Sequence, residues 1–380
     1  MRSEQLVYRE NIGWQQLNTC ADCSNAGLVF VFGSRDLLSV AENIEYITKR
    51  YPAAEIVGCS TSGEIFREEV LSSTIVCTAV QFEKTIVRVV EEHIGQAEES
   101  YSIGQKLAAN LDTKGLVHIM VLSEGLNING SELTKGLNSV LGGRIQITGG
   151  LAGDSEDFIE TVLVHNRVCS KNLVIAIGFY GDNIKIGYGS MGGWDSFGVD
   201  RLVTRSMANV LYELDGQPAL ELYKKYLGHH AAGLPASALL FPLSLRSADS
   251  DVILVRTILS VSEKDGSMTF AGDIPEGDYV RLMKASFEKL VGGAFTAAEL
   301  SGTSLGDTDP DLAILISCVG RRLVLKQRVE EEVEAVREVL GSRVTITGFY
   351  SYGEICPGHP FGQRCELHNQ TMTITLFKEQ

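Results

Sequence analysis

The chain has 380 residues, of which 44% are hydrophobic and 21% charged, so it is long enough for two folded domains and is not a disordered segment. A formal net charge of −15 at pH 7, with no concentrated basic face, excludes the phosphate contacts that a nucleic-acid partner requires. No run of about 18 uninterrupted apolar residues occurs and residues 1–20 lack the features of a secretory signal, so we expect no membrane insertion and a cytoplasmic location.

An apolar strand, a one-sided helix and a second apolar strand follow one another three times along the chain. The three copies span residues 28–65, 116–154 and 312–355. This order is typical of the βαβ crossover, which pairs two parallel strands. Further strand-like runs follow the copies at residues 74–80, 161–165, 172–179 and 371–377. We therefore predict an α/β fold of repeated βαβ units with mixed sheets in a two-domain chain.

The second and third copies share the pattern Leu-Gly-x-Arg-φ-x-Ile-Thr-Gly, where φ is apolar, which indicates duplication. The glycines of these segments serve either as tight turns at strand ends or as places where a ligand approaches the backbone. Loops at the carboxyl ends of parallel strands form the crevice where open α/β sheets bind ligands. We therefore expect the repeated loops to converge on one pocket.

The middle of the chain has a different pattern. Hairpin-like runs at residues 201–205 and 209–214 precede a helix over 219–227, and a domain boundary is predicted there. Strands are then predicted within 252–261 and 268–270, followed by a helix from about 278 to 290. The predicted domains are an amino-terminal extension over 1–26, a first domain over 27–219 and a second over 220–380.

Several motifs resemble those of FIST sensory proteins. They are Gly58-Cys-Ser-Thr-Ser-Gly-Glu64, Leu214-Asp-Gly-Gln-Pro-Ala219, Ser317-Cys-Val-Gly-Arg-Arg322, Gly348-Phe-Tyr-Ser-Tyr-Gly-Glu-Ile-Cys-Pro357 and Leu367-His-Asn-Gln-Thr-Met-Thr373. The resemblance implies FIST N and FIST C domains in a non-catalytic sensor of a small ligand. It also implies a separate signalling partner, either a histidine kinase or a diguanylate cyclase or phosphodiesterase, and haem in members that sense nitric oxide.

The repeated loops and the segment after residue 317 supply the candidate ligand-binding residues. These are Gly58, Cys59, Ser60, Glu64, Cys318, Arg321, Gly348, Tyr350, Tyr352, Gly353 and Glu354. Hydroxyl groups, carboxylates and one guanidinium in such a pocket suit an amino-acid-like metabolite. The alternative for Cys318 and Arg321 is a strand end that is held by a salt bridge.

Four further residues have the spacing of a metal knuckle: Cys356, His359, Cys365 and His368. Cysteine and histidine are the usual ligands of zinc, so we consider a zinc or iron site here, with a structural loop as the alternative. For haem, the candidate axial ligands are His229, His230, His165, His359 and His368. The sequence does not choose among these five residues.

Catalytic motifs are missing from the sequence. The loop around Cys59 lacks the G-x-S-x-G order of a nucleophile elbow, and no glycine-rich turn continues into a P-loop. The chain is therefore predicted not to be an enzyme. The alternative is a cysteine-dependent enzyme that uses Cys59 or Cys318 as its nucleophile.

Overall fold

The computed structural model describes residues 1–16, 23–246, 253–358 and 364–380. The first repeat contains β1 (Arg2–Arg9), β2 (Gly13–Gln16), β3 (Leu28–Gly33), α1 (Arg35–Leu38), α2 (Ala41–Arg50), β4 (Glu55–Ser60), β5 (Glu64–Phe66), β6 (Glu69–Leu71) and β7 (Thr74–Gln81). The second contains β8 (Ile86–His93), α3 (Ser100–Asn110), β9 (Leu116–Ser123), α4 (Gly130–Leu141), β10 (Gln146–Leu151), β11 (Leu163–His165), β12 (Val168–Ser170) and β13 (Leu173–Tyr180).

The third repeat is interrupted by an inserted sheet. The first strand of this repeat is β14 (Ile184–Met191). The inserted segment, residues 194–285, then contributes β15 (Trp194–Met207), β16 (Val210–Leu214), β17 (Gln217–Pro218), α5 (Ala219–Leu227), β18 (Leu243–Arg246), β19 (Ile253–Arg256), β20 (Ile258–Ser262), β21 (Ser267–Phe270) and β22 (Tyr279–Ala285). The repeat resumes with α6 (Phe287–Leu305), β23 (Leu312–Cys318), α7 (Val319–Leu325), α8 (Glu330–Leu340), β24 (Thr345–Ser351), β25 (Gly353–Pro357), β26 (Cys365–His368) and β27 (Met372–Glu379).

The fold is mixed α/β, as the sequence predicts. In each repeat two central strands pair in parallel, namely β3 with β4, β9 with β10, and β23 with β24. On its other side, the first strand of each parallel pair has an antiparallel neighbour, which is β7 for β3, β13 for β9 and β27 for β23. Each sheet is therefore mixed. The inserted sheet pairs in the antiparallel sense throughout its described strands.

Each repeat donates a hairpin to a neighbouring repeat. The β5–β6 hairpin of the first repeat pairs with β24 of the third. The β11–β12 hairpin of the second repeat pairs with β4 of the first, and the β25–β26 hairpin of the third pairs with β10 of the second. The donations therefore close a circle of three sheets.

The central core lies between the three sheets. Alternate residues of a strand face opposite sides of its sheet, so Phe30, Leu122 and Ile314 meet in one apolar cluster that all three repeats share. The intervening residues, such as Val31, Val121 and Leu315, pack against helices in separate outer clusters. This arrangement explains why the central strands are apolar on both faces.

The structure corrects one helix predicted in the middle of the chain and shows a paired strand near its start. The predicted helix over 278–290 is wrong in its first half, because residues 279–285 form strand β22 and α6 begins only at Phe287. The segment predicted as an amino-terminal extension contributes β1, which pairs with β7 along its whole length. Among the described residues, no helix has the length and apolar character needed to cross a membrane.

Candidate functional site

The three strand-end loops join in a ring of backbone hydrogen bonds. The amide of Ser62 donates to the carbonyl of Tyr350 at 2.8 Å, and the amide of Tyr352 donates to Leu151 at 3.3 Å. The amide of Gly153 closes the ring by donating to Ser60 at 2.9 Å. Each repeat thus gives one donor and one acceptor, and the ring lies where the chain crosses from one sheet to the next.

A cleft of about 880 Å³ opens beside this ring. We call it the inter-repeat cleft, because all three repeats and the inserted segment line it. Its lining residues are Ser34, Thr61, Gly63, Glu64, Ser72, Ser73, Ser155, Glu156, Asp157, Gly233, Ala236, Ser237, Leu239, Leu240, Val319, Arg322, Leu323 and Lys326. Of the residues predicted from the sequence to bind ligand, Glu64 is the one that lines the cleft.

Glu64 and Glu354 occupy matching environments in the first and third repeats. Glu64 accepts hydrogen bonds from the hydroxyl of Thr61 at 2.6 Å and of Thr74 at 2.7 Å. Glu354 accepts them from Ser351 at 2.6 Å and Thr371 at 3.0 Å.

Both of these carboxyl groups are buried. Burial raises the pKa of Glu64 to about 7, and that of Glu354 to about 8, although the hydrogen bonds and a nearby arginine lower both. Of the two, only Glu64 lines the inter-repeat cleft.

The two adjacent arginines of α7 have different environments. Arg321 is fully buried and pairs with Glu332 at 2.7 Å, while it also donates to the carbonyl of Leu290. Arg321 does not line the inter-repeat cleft, and its contacts are those of the salt-bridged alternative. Successive helical residues point about 100° apart, and that rotation brings Arg322 into the cleft instead.

Arg322 closes one side of the cleft. Its Nη1 donates to the carbonyl of Ser62 and its Nη2 donates to Ser72 Oγ at 2.6 Å, while its guanidinium lies 5.8 Å from the ring centroid of Tyr350. No carboxylate pairs with it within the described ranges. Sequence reasoning missed Arg322 although it belongs to the quoted Arg-Arg motif.

The predicted glycines serve the packing of strands. A methyl group on Gly58 would overlap the carbonyl oxygen of Val31, and one on Gly348 would overlap that of Leu315. Gly353 is enclosed by the side chains of Leu151 and Leu367. Gly58 and Gly348 therefore permit neighbouring backbones to approach closely, and Gly353 leaves room for packed side chains, which are structural roles.

The remaining predicted loop residues lie beneath the cleft. Tyr350 is buried and donates to Glu332 at 2.6 Å, and Tyr352 stacks on Phe158 with ring centroids 4.4 Å apart. The hydroxyl of Ser60 accepts a hydrogen bond from the amide of Val162 at 3.0 Å. These side chains fix the shape of the floor.

The two candidate nucleophiles are also buried. Burial raises the pKa of the thiols of Cys59 and Cys318 well above the usual value, and neither side chain lines the inter-repeat cleft. A thiol in this state is a weak nucleophile at neutral pH. The arrangement therefore gives no support to cysteine chemistry.

The metal-knuckle motif is divided by the pairing of β25 with β26. Cys365 lies opposite Pro357 and its sulfur contacts Asn138, whereas Cys356 lies opposite Glu366 and faces the other side of the hairpin. His368 shares the Cys356 side, and its ring nitrogen bonds to the carbonyl of Cys356 at 3.1 Å. His359 lies outside the described residues, and in the rest of the motif no three ligands share a centre.

None of the candidate haem ligands within the described residues lines the inter-repeat cleft, although the hydroxyl of Ser237 in the cleft wall donates to the carbonyl of His230 at 2.8 Å. His165 contacts Glu91 at 2.6 Å and Glu55 at 3.3 Å through its two nitrogens. The rings of His229 and His230 are 4.0 Å apart, and His230 packs on Phe241. No histidine is among the described residues that line the cleft.

Two family models match this chain, one on each side of residue 218. The family model described as the FIST N domain matches residues 27–217, and that described as the FIST C domain matches residues 219–357. An uncharacterized protein of Methanocaldococcus jannaschii is 22% identical over 338 residues, which are 81% of this chain and 62% of that protein. The chain thus spans less than two thirds of that relative.

One solved structure similar to this chain is cyanuric acid hydrolase from A. caulinodans. It is 7% identical with a TM-score of 0.37, and the match covers 95% of this chain and 92% of that one.

Proposed function

The chain belongs to the FIST family, whose domains are sensory, and from this premise we propose that it senses a small polar, amino-acid-like metabolite in the inter-repeat cleft. The observation that supports the proposal most directly is the composition of that cleft, to which all three repeats and the inserted segment contribute. A ligand bound there touches several independently placed elements at once.

The charges along the cleft suit a zwitterion. Arg322 and Lys326 supply positive charge on one side, and the exposed Glu156 and Asp157 supply negative charge on another. A guanidinium binds a carboxylate by paired hydrogen bonds, and a carboxylate on the rim accepts from an ammonium group. Hydroxyl groups such as that of Ser155 add donors and acceptors between the two charges.

Signal output is proposed to pass through the inserted segment. Its 3-10 helix, Ala236–Leu240, carries four residues of the cleft wall and is tied to the third repeat by Gln370, whose amide donates to the carbonyl of Leu239 at 3.3 Å. A ligand that holds this wall in place changes the surface offered to a partner. We propose as that partner a separate histidine kinase, diguanylate cyclase or phosphodiesterase.

Haem-based sensing of nitric oxide is the other sensory function that the family resemblance implies. Haem needs an axial ligand beside an apolar cavity, and the described lining of this cleft offers no histidine or cysteine. The residues of the cleft therefore do not fit haem. An ultraviolet-visible spectrum of the protein from its native host, without a Soret band, would agree with this assignment.

A thermal-shift screen of amino acids and related metabolites tests the proposal, with Arg322→Ala as the main variant. The wild type should gain melting temperature with at least one compound, and the variant should need at least tenfold more of it. Arg343→Ala is the matched control, because Arg343 pairs with Asp309 on the exposed surface. Stabilisation that is equal in all three proteins would contradict the proposal.

A further inference from the structure

The inter-repeat cleft has a polar wall and an apolar wall. Hydroxyl groups of the first repeat form the polar wall, among them those of Ser34, Thr61 and Ser72. The apolar wall lies where α7 contacts the 3-10 helix Ala236–Leu240 of the inserted segment. The character of this second wall indicates which side chain a ligand in the cleft should carry.

Helix α7 presents two neighbouring faces to the cleft. Val319 and Leu323 are four residues apart, so their side chains lie one above the other on the same face of the helix. Arg322 precedes Leu323 by one residue, which is a rotation of about 100°. An acid held by the guanidinium therefore has an apolar surface of the same helix beside it.

The 3-10 helix of the inserted segment extends the apolar wall with Leu239 and Leu240. Leu240 is half-buried, yet it belongs to none of the hydrophobic clusters that the described residues form. The accessible part of its side chain thus remains open to the cleft. An apolar ligand group that covered it would remove that surface from water, which favours binding.

The cation that would anchor a carboxylate is fixed in position. A methyl group on Gly63 would lie 2.9 Å from Cζ of Arg322, so a side chain at this glycine would displace the guanidinium. The carbonyl of Ser62 and the hydroxyl of Ser72 accept hydrogen bonds from its two Nη atoms. A fixed anchor sets the distance from the bound carboxylate to the apolar wall, and so makes the side chain of the ligand a basis for selection.

The competing ligand class is an amino acid with a second carboxylate, because Lys326 also lines the cleft. The side chain of Lys326 is exposed, however, and an ion pair surrounded by water contributes little to binding. Val319 and Leu239 are each only 2% exposed, so the surface of the apolar wall is shielded from water. Burial of an apolar group there contributes more than a screened charge does.

We propose that the inter-repeat cleft selects amino acids with an aliphatic side chain. The carboxylate accepts from Arg322, and the ammonium group donates to Glu156 or Asp157 at the rim. The aliphatic group packs on Leu240 and Leu323. Selection of this class rests on the sensory function proposed above, which leaves the side chain of the ligand open.

Three amino acids of nearly the same shape test the proposal by calorimetry on the full chain at pH 7. Leucine, asparagine and aspartate all branch at the γ carbon, but only leucine carries methyl groups there. Leucine should bind at least tenfold more tightly than the other two, because burial of its methyl groups has no counterpart in an amide or a carboxylate.

Variants of Leu240 locate the side chain of the bound ligand. Leu240→Asn should weaken leucine at least tenfold and leave the other two amino acids within about twofold, since it adds an amide to the apolar wall. Leu240→Ala keeps the wall apolar but shortens it, so leucine alone should weaken by about threefold or more even if the asparagine variant fails to fold. Val199→Asn is the matched control, because Val199 is exposed on the inserted segment and does not line the cleft.

Two kinds of failure are distinguishable. Equal or tighter binding of asparagine or aspartate, or leucine binding that both Leu240 variants leave unchanged, would overturn the aliphatic preference and leave the sensory function standing. The same holds if leucine does not bind up to about 10 mM while another metabolite stabilises the protein in a manner that depends on Arg322. Absence of any metabolite whose binding depends on Arg322 would overturn both.

Discussion

Replacement of Glu354 by glutamine should make the stability of this protein less sensitive to pH. Glutamine mimics the protonated carboxyl, since its amide group donates to Ser351 while its oxygen accepts from Thr371, in the places of the two carboxyl oxygens. Burial raises the pKa of Glu354 from 4.5 to about 8 in the folded chain. The folded protein therefore holds this proton more tightly than the unfolded chain does.

The direction and size of the effect follow from that difference. Between the two pKa values the unfolded chain binds fewer protons at this group, so the stability of the wild type falls as the pH rises from about 4.5 to about 8. At 1.36 kcal/mol for each pKa unit, the wild type should lose about 4 kcal/mol relative to Glu354→Gln between pH 5 and pH 9. Near pH 5 the two proteins should be about equally stable.

Urea unfolding followed by circular dichroism, at one-unit steps from pH 5 to pH 9, measures this difference directly. Glu64→Gln is the matched comparison from the first repeat, where a pKa of about 7 gives a smaller loss of about 3 kcal/mol over the same range. A stability difference between wild type and Glu354→Gln that stays constant across this range would refute the assignment of a protonated, buried carboxyl.

Three other changes test structural roles. Arg321→Met should destabilise the protein by about 3–5 kcal/mol in urea unfolding, because it leaves the buried carboxylate of α8 without its cation; a loss under 1 kcal/mol would disprove that role. Gly348→Ala should cost about 3 kcal/mol where strands β23 and β24 approach, whereas Gly302→Ala, which meets no neighbour, should cost nothing. Cys59 and Cys318 should react with a thiol reagent only at the rate at which the protein unfolds. Rapid labelling of either at pH 7 would support the alternative of a cysteine-dependent enzyme.

The repeat architecture could be predicted from the sequence because it depends on the local spacing of apolar residues in strands and helices. The predicted helical segments of all three copies became α2, α4 and α8, and α5 begins and ends at the predicted residues 219 and 227. Helix α3 was missed since Gly104 interrupts its apolar pattern. The structure explains that glycine, because a methyl group there would overlap the backbone of α4 at Leu133.

The donated hairpins could not be read from the sequence. Whether β25 pairs within its own repeat or with β10 of the second depends on contacts between residues about 200 positions apart, which no local pattern encodes. The same limit applies to the site, because the sequence alone does not show that the side chain of Arg321 points into the core and that of Arg322 into the inter-repeat cleft. A related limit applies to the metal-knuckle spacing, because the sequence does not show that strand register places Cys356 and Cys365 on opposite faces of their hairpin.

Because each repeat donates a hairpin to the sheet of another, no repeat has a complete sheet without the other two. A chain cut near residue 218, between the two family matches, would keep the β5–β6 hairpin but lose β24, the strand on which it docks. The same cut would deprive β10 of its outer neighbour and leave an unpaired strand edge, which is a template for aggregation. The amino-terminal and carboxy-terminal modules are thus interdependent in folding, and we expect the three sheets to melt in one cooperative step.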